Sequence, residues 1–298
     1  MRTTHVSAEI ASQPEVWRRA AELAARSTEI LPQAGERVAV VGCGTSWFVA
    51  QAYAARREAL GLGETDAFAG SEYPTGRRYD RVVAITRSGT TTEILQLLDA
   101  LQGEQRTLAI VGDPESPGAT AADDVVVMEF ADERSVVQTR FATAALSLLR
   151  ASLGDDVAAL ATAAEEAVTW EVPAEHLART QFTFLGRGFS VGLANEAALK
   201  MREASLAWAE SYPAMDYRHG PISISDETSV VYLLGEEVPG LVDDVERTGA
   251  LAVRFDEDPQ VTLVRLQRLA VANAESKGLD PDAPRHLTRS IILDTTAS

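Results

Sequence analysis

The chain has 298 residues and a formal net charge of −17, from 27 Lys+Arg against 44 Asp+Glu, so it can hold one large domain or two modest ones and would repel phosphodiester backbones and anionic lipid. Hydrophobic residues at 46 % and charged residues at 24 % exclude disordered and fibrous classes. The single cysteine, Cys43, excludes an internal disulfide and a thiolate metal cluster and fits a reducing compartment.

No apolar run approaches the roughly 18 residues of a membrane helix, and the first residues lead into no signal-peptide core, so a soluble cytoplasmic protein is expected. The stretch from Ala8 to Leu31 is amphipathic and reads as helix, with Pro14 near a helix start. Apolar runs at 37–42, 81–86, 107–112 and 125–130 read as strands, and 46–60, 90–101 and 141–153 as the helices between and after them. Strands that are apolar throughout and separated by helices indicate a parallel sheet covered on both faces. Residues 154–175 read as a connecting helix and turn. The pattern then restarts, with strands at 181–186, 229–235 and 250–255 and helices at 195–210 and 263–275.

Gly42-Cys43-Gly44-Thr45-Ser46 joins strand to helix in the first half, and Gly186-Arg187-Gly188-Phe189-Ser190 does so in the second, 144 positions later. Two such junctions suggest an internal duplication. Neither is a dinucleotide fingerprint, because Trp47 and Val191 stand where a third glycine must let helix and sheet approach. The remaining glycines still permit a tight turn that aims N–H groups over the strand ends.

After the second strand comes Thr86-Arg87-Ser88-Gly89-Thr90-Thr91-Thr92-Glu93. Hydroxyls around a glycine before a helix N-terminus offer a phosphate several donors and the positive end of the helix dipole, and Arg87 adds a charge. The same residues also suit a plain cap, with Thr90 or Thr91 at the N-cap and Glu93 completing it. The second half has the acidic Leu234-Gly-Glu-Glu-Val-Pro-Gly240 at this place, so one half is expected to hold the phosphate. On the helix after the second junction, Glu196, Lys200 and Glu203 share one face. Lys200 and Lys277 are the only lysines in the chain. Tyr217-Arg218-His219-Gly220-Pro221 comes next and fixes a histidine before Gly-Pro. His5, His176 and His286 have no comparable context.

Taken in order, GCGTS, the Ser/Thr loop, GRG before NEAALKxxE, HGP and the tail APRHLTRSIIL resemble the tandem sugar-isomerase (SIS) domain family across essentially the whole chain. The resemblance is to the isomerase half of glucosamine-6-phosphate synthase and to free-standing amino-sugar phosphate deaminases and isomerases. It implies an α/β fold of two SIS domains, each a doubly wound parallel sheet flanked by helices, at residues 1–160 with the phosphate loop and 161–298 with the catalytic residues and the tail. It further implies a homodimer acting on a sugar phosphate without metal or organic cofactor. Carried over by residue, Thr86, Ser88 and Thr91 hold the phosphate with Arg87 and Thr90 beside them, and Gly44, Thr45, Ser46, Val136 and Gln138 line the sugar. Glu203 moves a proton between adjacent carbons, Lys200 lies near the enediol oxygen, and His219 assists ring opening. The chain departs from the family at Thr86-Arg87-Ser88, where a serine-glutamine-serine is expected, and at Arg289, where a lysine is expected. An arginine stays protonated and forms no ready Schiff base.

Proton abstraction beside a carbonyl needs a carboxylate base, an electrophile for the enolate oxygen and a remote handle that orients the carbons. Glu203, Lys200 and the 86–91 loop supply one each. The expected activity is that of a phosphosugar isomerase or deaminase on an amino or N-acylamino hexose 6-phosphate. A lyase, dehydratase or deglycase using the same enolate, and a catalytically silent sugar-phosphate sensor, are the alternatives.

Overall fold

A computed structural model describes residues 4–293. Two compact units emerge: Glu15–Ala158 with the described residues from His286 onward, and Ala159–Arg285 with the described residues before Glu15. Each end of the chain thus groups with the other half, which differs from the simple division at residue 160.

The N-terminal stretch forms two helices, α1 (His5–Ala11) and α2 (Gln13–Arg26). Thr4 caps α1 by accepting the Ser7 N–H at 3.2 Å, and the helix closes at Ser12. Pro14 falls in the first turn of α2, where its missing N–H costs nothing and its fixed φ suits a fresh start.

The first unit continues with β1 (Val38–Gly42), α3 (Thr45–Ala59), β2 (Thr65–Ala69), β3 (Arg81–Thr86), α4 (Thr92–Leu101), β4 (Thr107–Val111), β5 (Asp124–Val127) and α5 (Arg140–Ser152). Its sheet is parallel throughout, in the order β2-β1-β3-β4-β5. β1, β3 and β4 are buried at every position, the signature of strands sandwiched between helices. Ile94, Leu97, Leu98 and Leu101 of α4 pack with Val82, Ala84, Ala109 and Val111 of the sheet. Trp17 is fully buried, and its indole N–H donates to the Thr143 hydroxyl of α5 at 2.9 Å. A buried ring of this size stabilises by about 2 to 3 kcal/mol once its one donor is satisfied. β2 lies outside the strands read from sequence, because Asp66 to Ala69 are only half buried and lack the long apolar run. The strand expected at 125–130 ends at Val127.

The linker becomes α6 (Val157–Ala167) and α7 (Ala174–Leu177), and the second unit then adds β6 (Gln181–Gly186), α8 (Ser190–Ser205), β7 (Trp208–Pro213), β8 (Ser229–Leu234), α9 (Leu241–Glu246), β9 (Leu251–Arg254) and α10 (Pro259–Ser276). This sheet is also parallel, in the order β7-β6-β8-β9. The helix expected at 195–210 is corrected twice. It starts at Ser190, and it stops at Ser205, where Leu206 takes the left-handed conformation (φ 52°) before an edge strand begins. No glycine marks that stop, and the apolar spacing of Leu206, Ala207 and Ala209 mimics another helical turn. α10 begins at Pro259, four residues before the expected 263, with Asp258 as N-cap accepting the Gln260 N–H at 2.9 Å. Among the described residues no helix is long and apolar enough to cross a membrane.

Candidate functional site

In both sheets the chain leaves the first strand in two directions, so the crevice beyond the carboxyl ends lies between β1 and β3 in one unit and between β6 and β8 in the other. The two strand–helix junctions share one geometry. A Cβ on Gly42 would come within 2.5 Å of Ser46, and one on Gly186 within 2.3 Å of Ser190, so each helix starts hard against its strand. Gly44 and Gly188 both have φ 55°, a conformation that glycine adopts without strain. Thr45 and Ser46 are buried in the first turn of α3, behind Gly44.

The turn after β3 carries the hydroxyls. Thr86 is 4 % exposed, and its hydroxyl is buried without a hydrogen-bond partner. Ser88 is buried, with its Oγ accepting the Thr90 N–H at 3.3 Å. Thr91 stands at the N-cap of α4, yet its side chain makes no cap bond, so the capping alternative does not use that hydroxyl. Gly89, at φ 60°, leaves no room for a side chain. A Cβ there would overlap the Ser116 hydroxyl, and its carbonyl accepts the Gly118 N–H at 2.8 Å. This pins the hydroxyl turn to the loop after β4.

Arg87 behaves otherwise than the sequence suggests. Its guanidinium is buried and donates to the Ser135 carbonyl at 2.8 Å and the Arg289 carbonyl at 2.9 Å, with the Glu133 carboxylate 3.8 Å away. Its charge therefore ties the turn to the 133–138 loop and the C-terminal segment. Glu133 in turn accepts from the backbone N–H groups of Thr139 at 2.7 Å and Arg140 at 2.9 Å. Val136 and Gln138, both half-buried, ride on this loop, and the Gln138 Oε1 is buried without a partner.

Arg289 is fixed as well. Its guanidinium grips both carboxylate oxygens of Asp132, at 2.6 and 2.7 Å, and donates to the Glu133 carbonyl. Beyond it the Thr90 hydroxyl donates to Ser290 Oγ at 2.8 Å, the Thr92 N–H to the Ile291 carbonyl at 3.2 Å, and the Leu293 N–H to the Thr92 hydroxyl at 2.9 Å. The tail segment thus crosses the start of α4 and uses one of the N–H groups a helix leaves unpaired. Sequence reasoning missed Asp132 and the bonds that Ser290 and Thr92 make, because the partners lie 157 to 201 positions away and leave no local signature.

In the second unit α8 does hold its three charged residues on one face. Lys200 is 1 % exposed, with its ammonium 2.5 Å from Glu203 Oε2 and 3.4 Å from Glu196 Oε1. Of the two carboxylates, Glu196 is enclosed and Glu203 keeps 18 % of its side chain open. An ammonium taken out of water needs such company to stay charged. Glu203 therefore combines an adjacent buried cation with access to an incoming molecule. His219 is exposed at the end of a 3-10 turn (Asp216–His219) and is not built into the Lys200 cluster. At the second crevice the Ser190 hydroxyl accepts the Arg187 N–H at 2.7 Å and donates to the Leu234 carbonyl at 2.8 Å, and the facing loop carries the exposed Glu236 and Glu237. Among the described residues no group of three or more His, Cys, Asp or Glu is placed to hold a metal ion.

No family model matches the chain. It is 27 % identical over 296 residues to the isomerizing glutamine–fructose-6-phosphate aminotransferase of Sulfurisphaera tokodaii, covering 87 % of this chain and 50 % of that protein. It is 30 % identical over 328 residues to the aminotransferase of the same name from a Nostoc species, covering 87 % of this chain and 52 % of that protein. The chain thus spans about half the length of the curated relatives it matches. In three dimensions it is similar to glucosamine-6-phosphate deaminase from Thermotoga maritima, with a TM-score of 0.84 at 24 % identity, covering 97 % of this chain and all of that one. The chain is homologous to the isomerase (SIS) domain of the aminotransferases and shares its fold with the deaminase.

Proposed function

We propose that the protein is a tandem-SIS enzyme that moves a proton between C2 and C1 of a 2-amino or N-acylamino hexose 6-phosphate. The observation that carries this reading is the pairing of the buried Lys200 ammonium with the partly open Glu203 carboxylate at 2.5 Å. The hydroxyl-lined turn after β3 and the names of the relatives support it.

In this mechanism the Thr86, Ser88 and Thr91 hydroxyls, at the positive end of the α4 dipole, bind the 6-phosphate, and Gly44, Thr45, Ser46, Val136 and Gln138 face the sugar. His219 delivers and removes the ring protons that convert the cyclic sugar to its open chain. Glu203 takes the C2 proton, the electron pair moves onto the C1 carbonyl oxygen, and the Lys200 cation stabilises that enolate. The proton then returns to C1. When C2 carries a free amine, the C1 oxygen gains a proton and the nitrogen loses one as C1 is protonated, so the product is a C2 imine with a C1 hydroxyl, and addition of water releases ammonia and leaves the ketose. No imine to the protein is needed, which suits Arg289 at the tail position and its double grip on Asp132. The exposed Trp208, Met215 and Ile224 near His219 in the sequence support a homodimer.

Incubation with glucosamine 6-phosphate and a panel of other hexose 6-phosphates in deuterated water, followed by NMR, tests this reading. The expected result is deuterium at C1 or C2 of at least one sugar, with ammonia released from a free 2-amine. Tight binding without exchange of any sugar would make the protein a sensor instead.

A further inference from the structure

Resting on the reading that His219 opens the sugar ring, we propose that Arg218 is a positioning residue that aims the His219 imidazole by locking the turn between β7 and β8.

In a 3-10 helix successive side chains diverge by about 120°, so Tyr217, Arg218 and His219 leave the Asp216–His219 turn in three directions. Two of the three are fixed. The Tyr217 ring is buried with Leu185, Val231, Leu233 and Leu241, and its hydroxyl meets Ser225 Oγ at 2.5 Å on the far side of the Gly-Pro corner. Arg218 reaches the other way. Its Nε donates to the Asp244 carboxylate of α9, and its Nη2 donates to the Pro239 carbonyl at 2.9 Å. With core and α9 both holding the turn, the direction of the third side chain is set. Gly220, at φ 141°, reverses the chain directly after His219, so the histidine is the last residue the two anchors govern.

The two bonds from Arg218 join the histidine turn to the loop after β8, the one that faces the second crevice, and to α9 that follows it. A lysine would present one point charge and could not satisfy a carboxylate and a carbonyl along two directions at once. The Asp244 carboxyl lies below its usual range because Arg218 hydrogen-bonds it, with Arg247 adding to the effect, so the pair is ionised throughout neutral pH. The pair is partly exposed, and its removal should cost little stability. Misplacing a catalytic group by about 1 Å costs on the order of 100-fold in rate. An effect on turnover well above any effect on folding is therefore expected.

The test compares His219→Asn, Arg218→Ala, Arg218→Lys, Asp244→Asn and the double variant Arg218→Ala/His219→Asn in the full chain. Turnover is measured with the hexose 6-phosphate that exchanges fastest, and the His219 C2–H resonance, assigned by its loss in His219→Asn, is followed by NMR as pH is varied. Arg218→Ala and Asp244→Asn should each lower kcat about 10-fold or more with KM held within about two-fold. Arg218→Lys should recover part of the loss, and the double variant should be no slower than His219→Asn alone. In Arg218→Ala and Asp244→Asn the His219 resonance should move, while those of His176 and His286 stay in place. Wild-type kcat in Arg218→Ala, a double variant slower by the product of the two singles, or an unmoved His219 resonance would each overturn the positioning role. Full turnover in His219→Asn would overturn the role of the histidine itself, and the His219 resonance still decides whether Arg218 aims it.

Discussion

The turn after β3 and the turn after β8 occupy the same place in their sheets, beside the strand from which the chain runs both ways, yet they are furnished differently. In the first unit the crevice is edged by Thr86, Ser88, Thr90 and Thr91, and the Thr86 hydroxyl is buried without a partner. In the second the corresponding loop is acidic, and the Ser190 hydroxyl is spent on the Leu234 carbonyl and the Arg187 N–H. The frame itself repeats, down to φ 55° at Gly44 and Gly188. Backbone geometry in such a fold is set by a few glycines at close approaches, and the chemistry is set by the residues in the following loop. Under the proposed function the frame is equipped for an anion in one unit and for proton transfer in the other.

The division of labour breaks most visibly at Glu203. Replacing it with glutamine keeps the shape and removes the base, so turnover should fall by about 1,000-fold while a 6-phosphosugar still binds, as measured by steady-state kinetics and calorimetry. Unchanged turnover would take proton transfer away from the second unit. The shared frame is tested next by Gly42→Ala and Gly186→Ala. Each added methyl meets the helix backbone at 2.5 or 2.3 Å, so each should lower stability by about 3 kcal/mol or more, read from urea unfolding followed by fluorescence. A marked difference between the two would argue against a common frame.

Matched substitutions of the hydroxyls sharpen the contrast between the loops. Ser88→Ala with Thr91→Ala should weaken binding of a hexose 6-phosphate by about 10- to 100-fold and leave the unphosphorylated sugar unaffected. Equal loss for both sugars would refute the phosphate assignment. Ser190→Ala should leave that binding intact and cost about 1 to 3 kcal/mol of stability, because two backbone groups lose their partner.

The smallest effect concerns the second unit alone. Burial holds the His176 imidazole below its ordinary value, and its Nδ1 pairs with the Tyr232 hydroxyl at 2.8 Å. The unfolded chain takes up this proton first, so its contribution to stability is whole above about pH 6.5 and is lost as pH falls through the depressed folded value. The urea midpoint should drop between about pH 7.5 and 5, and by less in His176→Gln. Equal drops in the two proteins would remove His176 from the acid sensitivity.

Much of the fold was legible because its central strands are uniformly apolar and its junction glycines are spaced for tight turns. β2 escaped because half-exposed residues such as Asp66 and Ala67 interrupt the apolar pattern, and β7 because Leu206 stops α8 without a glycine. The cluster on α8 was visible in its spacing, since Glu196, Lys200 and Glu203 must share a face of any helix that contains them. What spacing could not show is that the Lys200 ammonium is enclosed and that Arg87 spends its charge on carbonyls. Those facts depend on Ser135 and Arg289, which approach Arg87 only after the chain has folded, and on the packing that closes over α8.

The C-terminal segment is stitched into the first unit through Arg87, Thr90, Thr92 and Asp132. Cutting the chain after Arg285 would strip an acceptor from a buried guanidinium and a counter-charge from a carboxylate 157 positions upstream of its partner. A purification tag joined to that end, or a protease that trims it, would therefore act on the proposed phosphate cradle as directly as a substitution inside it.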